Sequence, residues 1–295
     1  MKWVLLLLPL LSLAACGSTD NARKAQPEDQ TLARHEQAGN IASSLDRPTE
    51  AIAQYEAALK QAEARDDLTQ ITKLSFSLAV AQLRANRPAD AVATATRAAA
   101  EIKRRGGAPF PALTLAEATA HYRMGNSAKA DEMASELEAS APSEIADGAS
   151  FLRGVIADER NDDAGLRAAL GRIADQKAPV QRADWRELEA RLALRHDQFS
   201  AARSAALEAA AIRQTILDYR GMARALYVAA LAAERGGDSQ GAADLYLRAG
   251  RSAAAQGDTT TARPWLEQAL RLTHSSDVTE AAQSALDRLG EPQPL

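Results

Sequence analysis

The strongest constraint on this fold is a turn that the sequence writes out twice. Asp46-Arg47-Pro48-Thr49-Glu50-Ala51-Ile52 recurs forty residues later as Asn86-Arg87-Pro88-Ala89-Asp90-Ala91-Val92. In each copy a residue that tolerates left-handed backbone ends one helix. A proline then stands where a first helical residue needs no N–H partner, and an acid in the first turn complements the helix dipole. Asp46, Asn86, Gly125, Asn161, Asp197, Gly237 and Gly257 carry the same turn along the chain, at spacings of 40, 39, 36, 36, 40 and 20 residues. All seven are Gly, Asn or Asp, although these types make up only 41 of the 295 residues, so the agreement marks an internal repeat. The final spacing of 20 implies that one helix, near 239–256, closes one pair and opens the next.

Between the turns little reads as strand. β-Branched residues are scattered, period-two alternation is absent, and alanine, the best helix former, dominates. The expectation is an all-α chain of about seven antiparallel helix pairs over residues 28–289, because short connections force neighbouring helices antiparallel. A single pair cannot bury its own apolar face, so stacking must make one continuous core.

The small residues at fixed distances from each turn resemble the tetratricopeptide repeat. Gly39 precedes its turn by seven residues, Ala51 follows by five, and Tyr55 and Ala58 come next. Gly250, Ala262, Leu266 and Ala269 repeat the series, Ala242, Tyr246 and Ala249 repeat its second half, and Pro142 sits at the closing proline. The match is good at 32–65 and 223–272, fair at 72–142 and poor at 147–182, where Leu166 replaces the turn alanine. The resemblance implies an α–α superhelix. Spacings of 36–40 residues exceed the family's period of about 34 and imply longer helices or added loop residues.

The N-terminus carries a second signal. Lys2 precedes an apolar run from Val4 to Leu13 of about ten residues, then Leu13-Ala14-Ala15-Cys16 closes the segment. Charge, apolar run and small residues in that order read as a secretory signal, and the run is too short to span a bilayer. The terminal cysteine resembles the lipobox of bacterial lipoproteins, which implies cleavage before Cys16 and lipidation of its thiol. The competing reading is an ordinary signal cut near Ala15 that leaves a free thiol. Gly17 and Ser18, in place of an aspartate, imply by the same resemblance an outer-membrane lipoprotein facing the periplasm. The expected organisation is a signal peptide at 1–15, a flexible lipid-anchored linker at 16–28, the helical repeat domain at 29–290 and a short tail at 291–295.

Composition and motifs narrow the function. Cys16 is the single cysteine, so no internal disulfide can form. Removing residues 1–15 takes away Lys2 and shifts the formal charge from −4 to −5, with no basic block, which argues against nucleic acid as partner. His35-Glu36-Gln37-Ala38-Gly39 starts like a zinc-protease motif, but Gly39 stands where the second histidine is required. His121, His196 and His274 fall in other repeats, and no nucleophile elbow, phosphate loop or dinucleotide fingerprint is present. The chain is therefore read as a non-enzyme without cofactor or metal.

Function is then a matter of surface. In repeats of this family the first helix of each pair lines a concave groove. Carrying that phase across gives Phe76, Val80 and Arg84; then Leu115, Thr119, Tyr122 and Arg123; then Phe151, Val155 and Glu159; then Glu187, Arg191 and Arg195; then Tyr227, Leu231 and Arg235. An apolar floor edged with arginine suits a peptide segment, since aromatics and Arg dominate binding hot spots. The alternative is that Phe76, Phe151 and Tyr227 are core residues displaced by one position of phase. The family's carboxylate clamp does not fit, because Asn40 matches one of its positions but Glu36 stands where a lysine is needed. The leading expectation is an envelope scaffold or adaptor that binds other envelope proteins. The alternatives are a binder of peptidoglycan fragments or regulator of cell-wall enzymes, and a purely structural spacer.

Overall fold

The computed structural model describes residues 29–173 and 178–289. The signal peptide, Cys16, the linker at 16–28 and the tail at 291–295 lie outside the described residues. Among the described residues there are fourteen helices and no strands: α1 (Gln30–Ser44), α2 (Pro48–Ala64), α3 (Leu68–Arg84), α4 (Pro88–Arg104), α5 (Pro111–Arg123), α6 (Ser127–Ser140), α7 (Ser143–Glu159), α8 (Asp163–Arg172), α9 (Pro179–Arg195), α10 (Phe199–Thr215), α11 (Tyr219–Arg235), α12 (Ser239–Ala255), α13 (Thr259–Leu272) and α14 (Ser276–Leu289). None of them is long and apolar enough to cross a membrane.

The turns take the conformation that the sequence prescribes. Asp46, Asn86, Asn161 and Asp197 have φ of 53–57°, and Gly125, Gly237 and Gly257 have φ of 71–84°. Asp66, Gly106 and Leu217 add three left-handed residues that the repeat did not mark. At Asp46 the helix closes with Arg47 N–H donating to the Ala42 carbonyl at 2.9 Å and Asp46 N–H to Ser43 at 3.3 Å. That is the Schellman arrangement, which satisfies carbonyls a helix end otherwise leaves without partners. Pro48 and Pro88 open α2 and α4, as expected, and Pro111 and Pro179 open α5 and α9.

Packing follows from small residues set against large ones. Ala51, Ala58 and Ala62 of α2 are fully buried, and a Cβ built on Gly39 of α1 would lie 2.6 Å from the Tyr55 ring. The glycine is a socket for the tyrosine. Ile52 and Leu59 of α2 and Ile71, Leu74 and Leu78 of α3 continue the core across the next interface, each contributing about 1.5–3 kcal/mol by burial. The socket recurs near the C-terminal end, where a Cβ on Gly250 of α12 would lie 2.7 Å from Leu266 of α13. α12 packs against α11, α13 and α14, so it closes one pair and opens the next.

Consecutive odd-numbered helices touch one another from α3 through α5, α7 and α9 to α11. They form one layer of the superhelix, and beyond α11 the same kind of contact joins α12 to α14. The degenerate copy differs in length: α8 has only ten residues.

Candidate functional site

The layer of α3, α5, α7, α9 and α11 carries the residues expected to line a groove. Their surroundings fall into three groups. The aromatic side chains are half-buried and packed. Phe76 of α3 meets Phe110 edge to face at 5.7 Å, beside half-buried Val80. Tyr227 of α11 stacks on Trp265 at 4.8 Å and meets Tyr246 at 6.0 Å. Tyr122 of α5 packs between two core clusters and donates its hydroxyl to the Glu159 carboxylate. Burial first, and then that carboxylate, push the Tyr122 hydroxyl above its ordinary range. Leu115 packs over Gly148 of α7, Thr119 is tied to the Leu115 carbonyl at 2.8 Å, and Leu231 is half-buried between clusters. Val155 is buried in the core.

A second group is held in ion pairs. Glu187 of α9 is fully buried and receives three guanidinium groups. Arg224 of α11 donates to both its oxygens at 2.6 and 3.0 Å, Arg213 of α10 donates at 3.0 Å and Arg191 at 3.1 Å. Arg213 also pairs with Asp184 at 2.7 Å and Asp218 at 2.6 Å, and Arg191 with Asp158 at 2.9 Å. Arg195 pairs with Asp163. Phe151 of α7 lies under this network, its ring centroid 5.4 Å from the Arg213 guanidinium and 5.0 Å from that of Arg224. Such cation–π contacts add about 0.5–2 kcal/mol each.

The two buried acids respond in opposite directions. Burial alone would raise Glu187, but Arg224, Arg213 and Arg191 together hold its carboxyl well below the ordinary range. Asp184 is raised to about 6, because burial outweighs the attraction of Arg213. The asymmetry is one of partners, since Glu187 has three close cations and Asp184 one.

The third group keeps contact with solvent. Arg235 is exposed at the end of α11. Arg84 and Arg123 end α3 and α5, and each donates to a backbone carbonyl of a preceding helix: Arg84 Nη1 to Ser43 O at 2.9 Å, Arg123 Nη1 to Leu83 O at 2.7 Å. Arg220, in the first turn of α11, reaches back across the superhelix to donate to the Arg84 carbonyl.

Sequence reasoning found Glu187, Arg191 and Arg195 but missed Asp184, Arg213, Asp218 and Arg224. One signal was available: Asp184, Glu187, Arg191 and Arg195 share a face of α9 at three- and four-residue steps. Arg213, on the alanine-rich α10, could not be assigned to that face in advance. At the excluded motif, His35 contacts Gln54 at 2.8 Å and Glu36 pairs with Lys73 at 2.5 Å. Asn40 accepts the Tyr55 hydroxyl at 2.9 Å. Among the described residues no group of three or more His, Cys, Asp and Glu could hold a metal ion.

The tetratricopeptide repeat family model matches residues 37–109 and 187–249, on either side of the degenerate copy. A tetratricopeptide repeat protein from Parabacteroides merdae has a similar structure, with a TM-score of 0.49 and 15% identity over 88% of this chain and 100% of that one. The TPR2AB domain of yeast Sti1, in its complex with pHSP90, gives a TM-score of 0.34 and 17% identity over 88% of this chain and 96% of that one. No curated protein matches the chain.

Proposed function

We propose that this chain is a non-catalytic scaffold, anchored by lipid at Cys16 to the periplasmic face of the outer membrane, that holds segments of other envelope proteins on the layer formed by α3–α11. Tetratricopeptide repeats generally mediate protein–protein interaction. The observation that carries the reading is the arrangement of that layer. Half-buried aromatic rings at Phe76, Tyr122, Phe151 and Tyr227 recur on α3, α5, α7 and α11, beside the arginines Arg84, Arg123 and Arg235. Their packing fixes them in place, which lowers the entropy lost when a partner binds. The network around Glu187 stiffens the middle of the layer.

Two experiments test the two halves of this reading. Photocrosslinkers placed at Val80 and Arg235, with the protein in its own envelope fraction, should capture the same partner segment, and crosslinkers on exposed residues of α4 and α10 should not. Equal capture from both layers removes the groove from the proposal. Cys16→Ala should abolish palmitate labelling and release the protein from outer-membrane fractions. Unchanged retention ends the anchoring claim.

A further inference from the structure

The arginines around Glu187 have carboxylate partners, but three others that meet at one place in the layer do not. Arg191, Arg195, Arg213 and Arg224 are each paired with at least one carboxylate. Arg84, Arg123 and Arg220 have none within 4.0 Å among the described residues. These three come from α3, α5 and α11 and line one cavity of about 270 Å³ together with Val80 and Tyr219. Arg84 and Arg220 are 136 residues apart in sequence, so the curvature of the superhelix alone brings them together.

The three guanidinium groups are positioned without being neutralised. Arg84 donates to Ser43 O at 2.9 Å, Arg123 to Leu83 O at 2.7 Å, and Arg220 to Gln256 O at 2.9 Å and to the Arg84 carbonyl. Carbonyl oxygens carry no net charge, and each guanidinium has five N–H donors, so most donors remain free. Two acids also border the cavity. Asp218 is already paired with Arg213 at 2.6 Å and accepts the Gly221 N–H, and Asp46 is an exposed turn residue. Burial lowers the Arg220 guanidinium below its ordinary value and Arg84 adds to that effect, while Asp258, whose carboxylate caps α13, and Asp46 act against it. A cavity with fixed cations in excess, and with donors left over, suits an anion.

We infer that this cavity binds an oxyanion, a carboxylate or phosphate group, borne by whatever lies along the inner layer. Planar guanidinium forks match the paired oxygens of both groups and hold them by two parallel hydrogen bonds. Because the cations come from α3, α5 and α11, one bound anion would bridge the N-terminal repeats to the C-terminal ones. The inference deepens the scaffold reading and rests on the same layer being the binding face, but it needs no lipid anchor.

The test uses the full chain and two probes at constant ionic strength, inorganic phosphate and triglutamate, with chloride and triglutamine as controls. At least one of the two anions should bind saturably by calorimetry and raise the melting temperature, and neither control should. Saturation by triglutamate alone assigns a carboxylate-bearing segment, and saturation by phosphate alone assigns a phosphate group. Arg123→Gln should weaken binding by about tenfold or more, a loss of about 1.4 kcal/mol. Arg123→Lys, which keeps the charge and loses the fork, should fall between the two. If Arg123→Gln unfolds, Arg84→Gln carries the same expectation. Saturable binding of neither anion, or equal binding by the folded variants, overturns the site. Crosslinking from Val80 and Arg235 without anion binding would leave the scaffold standing and remove this site. Triglutamate binding without crosslinking would do the reverse.

Discussion

The first helix pair and the degenerate fourth copy use the same socket with different partners. In α1, Gly39 receives Tyr55 from α2, the helix that follows it. In α7, Gly154 stands at the same distance before its turn, but a Cβ there would lie 2.7 Å from Leu188 of α9, with only the small Ala169 of α8 beside it at 3.1 Å. The nominal partner α8 is ten residues long, and Leu166 occupies the turn-alanine position. The helix beyond moves in to fill the gap. That helix also buries Asp184 and Glu187, which meet the guanidinium groups of Arg213, Arg224 and Arg191. The repeat therefore requires a small residue under a large one, and it leaves open which helix supplies the large one. Where the register slips, buried ion pairs take over part of the stabilising role of the apolar core.

The largest expected effect tests that contrast directly. Glu187→Gln leaves Arg213, Arg224 and Arg191 without their shared counter-charge, which should cost about 3–5 kcal/mol in urea denaturation. Tyr55→Phe, which removes the polar tie to Asn40 in the regular pair, should cost only about 0.5–1.5 kcal/mol. If the two losses are equal, the degenerate region does not depend on its charges.

Next come the sockets. Gly39→Ala and Gly154→Ala should each cost about 1–3 kcal/mol through overpacking. The second should be relieved by Leu188→Ala and not by truncation of Leu170, with a coupling of about 0.5–3 kcal/mol in a double-mutant cycle. Coupling to Leu170 in place of Leu188 would mean that α8 supplies the large side chain of the socket.

A smaller effect separates the two buried acids by pH. Asp184 is raised to about 6 from an ordinary 3.8, so the folded state holds its proton longer. Its contribution to stability is full below about pH 3.8 and is lost as the pH rises toward 6. Melting temperatures should therefore shift in favour of Asp184→Asn over the parent between pH 4 and pH 6.5. Glu187 is depressed, so its contribution is present above its ordinary 4.5 and is lost as the pH falls. The penalty of Glu187→Gln should shrink in acid, the opposite trend.

The smallest effect lies in the turns. Leu217 sits at φ 59° with its side chain more than half exposed, a conformation disfavoured for a branched residue. Leu217→Gly should stabilise by about 0.5 kcal/mol, the strain relieved exceeding the entropy added to the unfolded chain. Asp197→Gly, in the same conformation, should change little, because aspartate tolerates it.

These trends follow what a sequence can and cannot encode locally. The left-handed residues at Asp46 through Gly257, the prolines that open α2 and α4 and the shared role of α12 were legible, because each rests on dihedral and capping preferences that act within a few residues. The Gly39–Tyr55 socket was legible for the same reason, since its spacing crosses a single turn. The state of each inner-layer side chain was not. Val155 and Glu187 share one helical phase with Val80 and Arg235, yet the first two are buried, Val80 is half-buried and Arg235 is exposed. That difference depends on how closely neighbouring helices approach, and a short α8 changes it. The meeting of Arg84 with Arg220 lies furthest from the sequence. It is the sum of small rotations over four repeats of unequal length, and only the tertiary structure performs that sum.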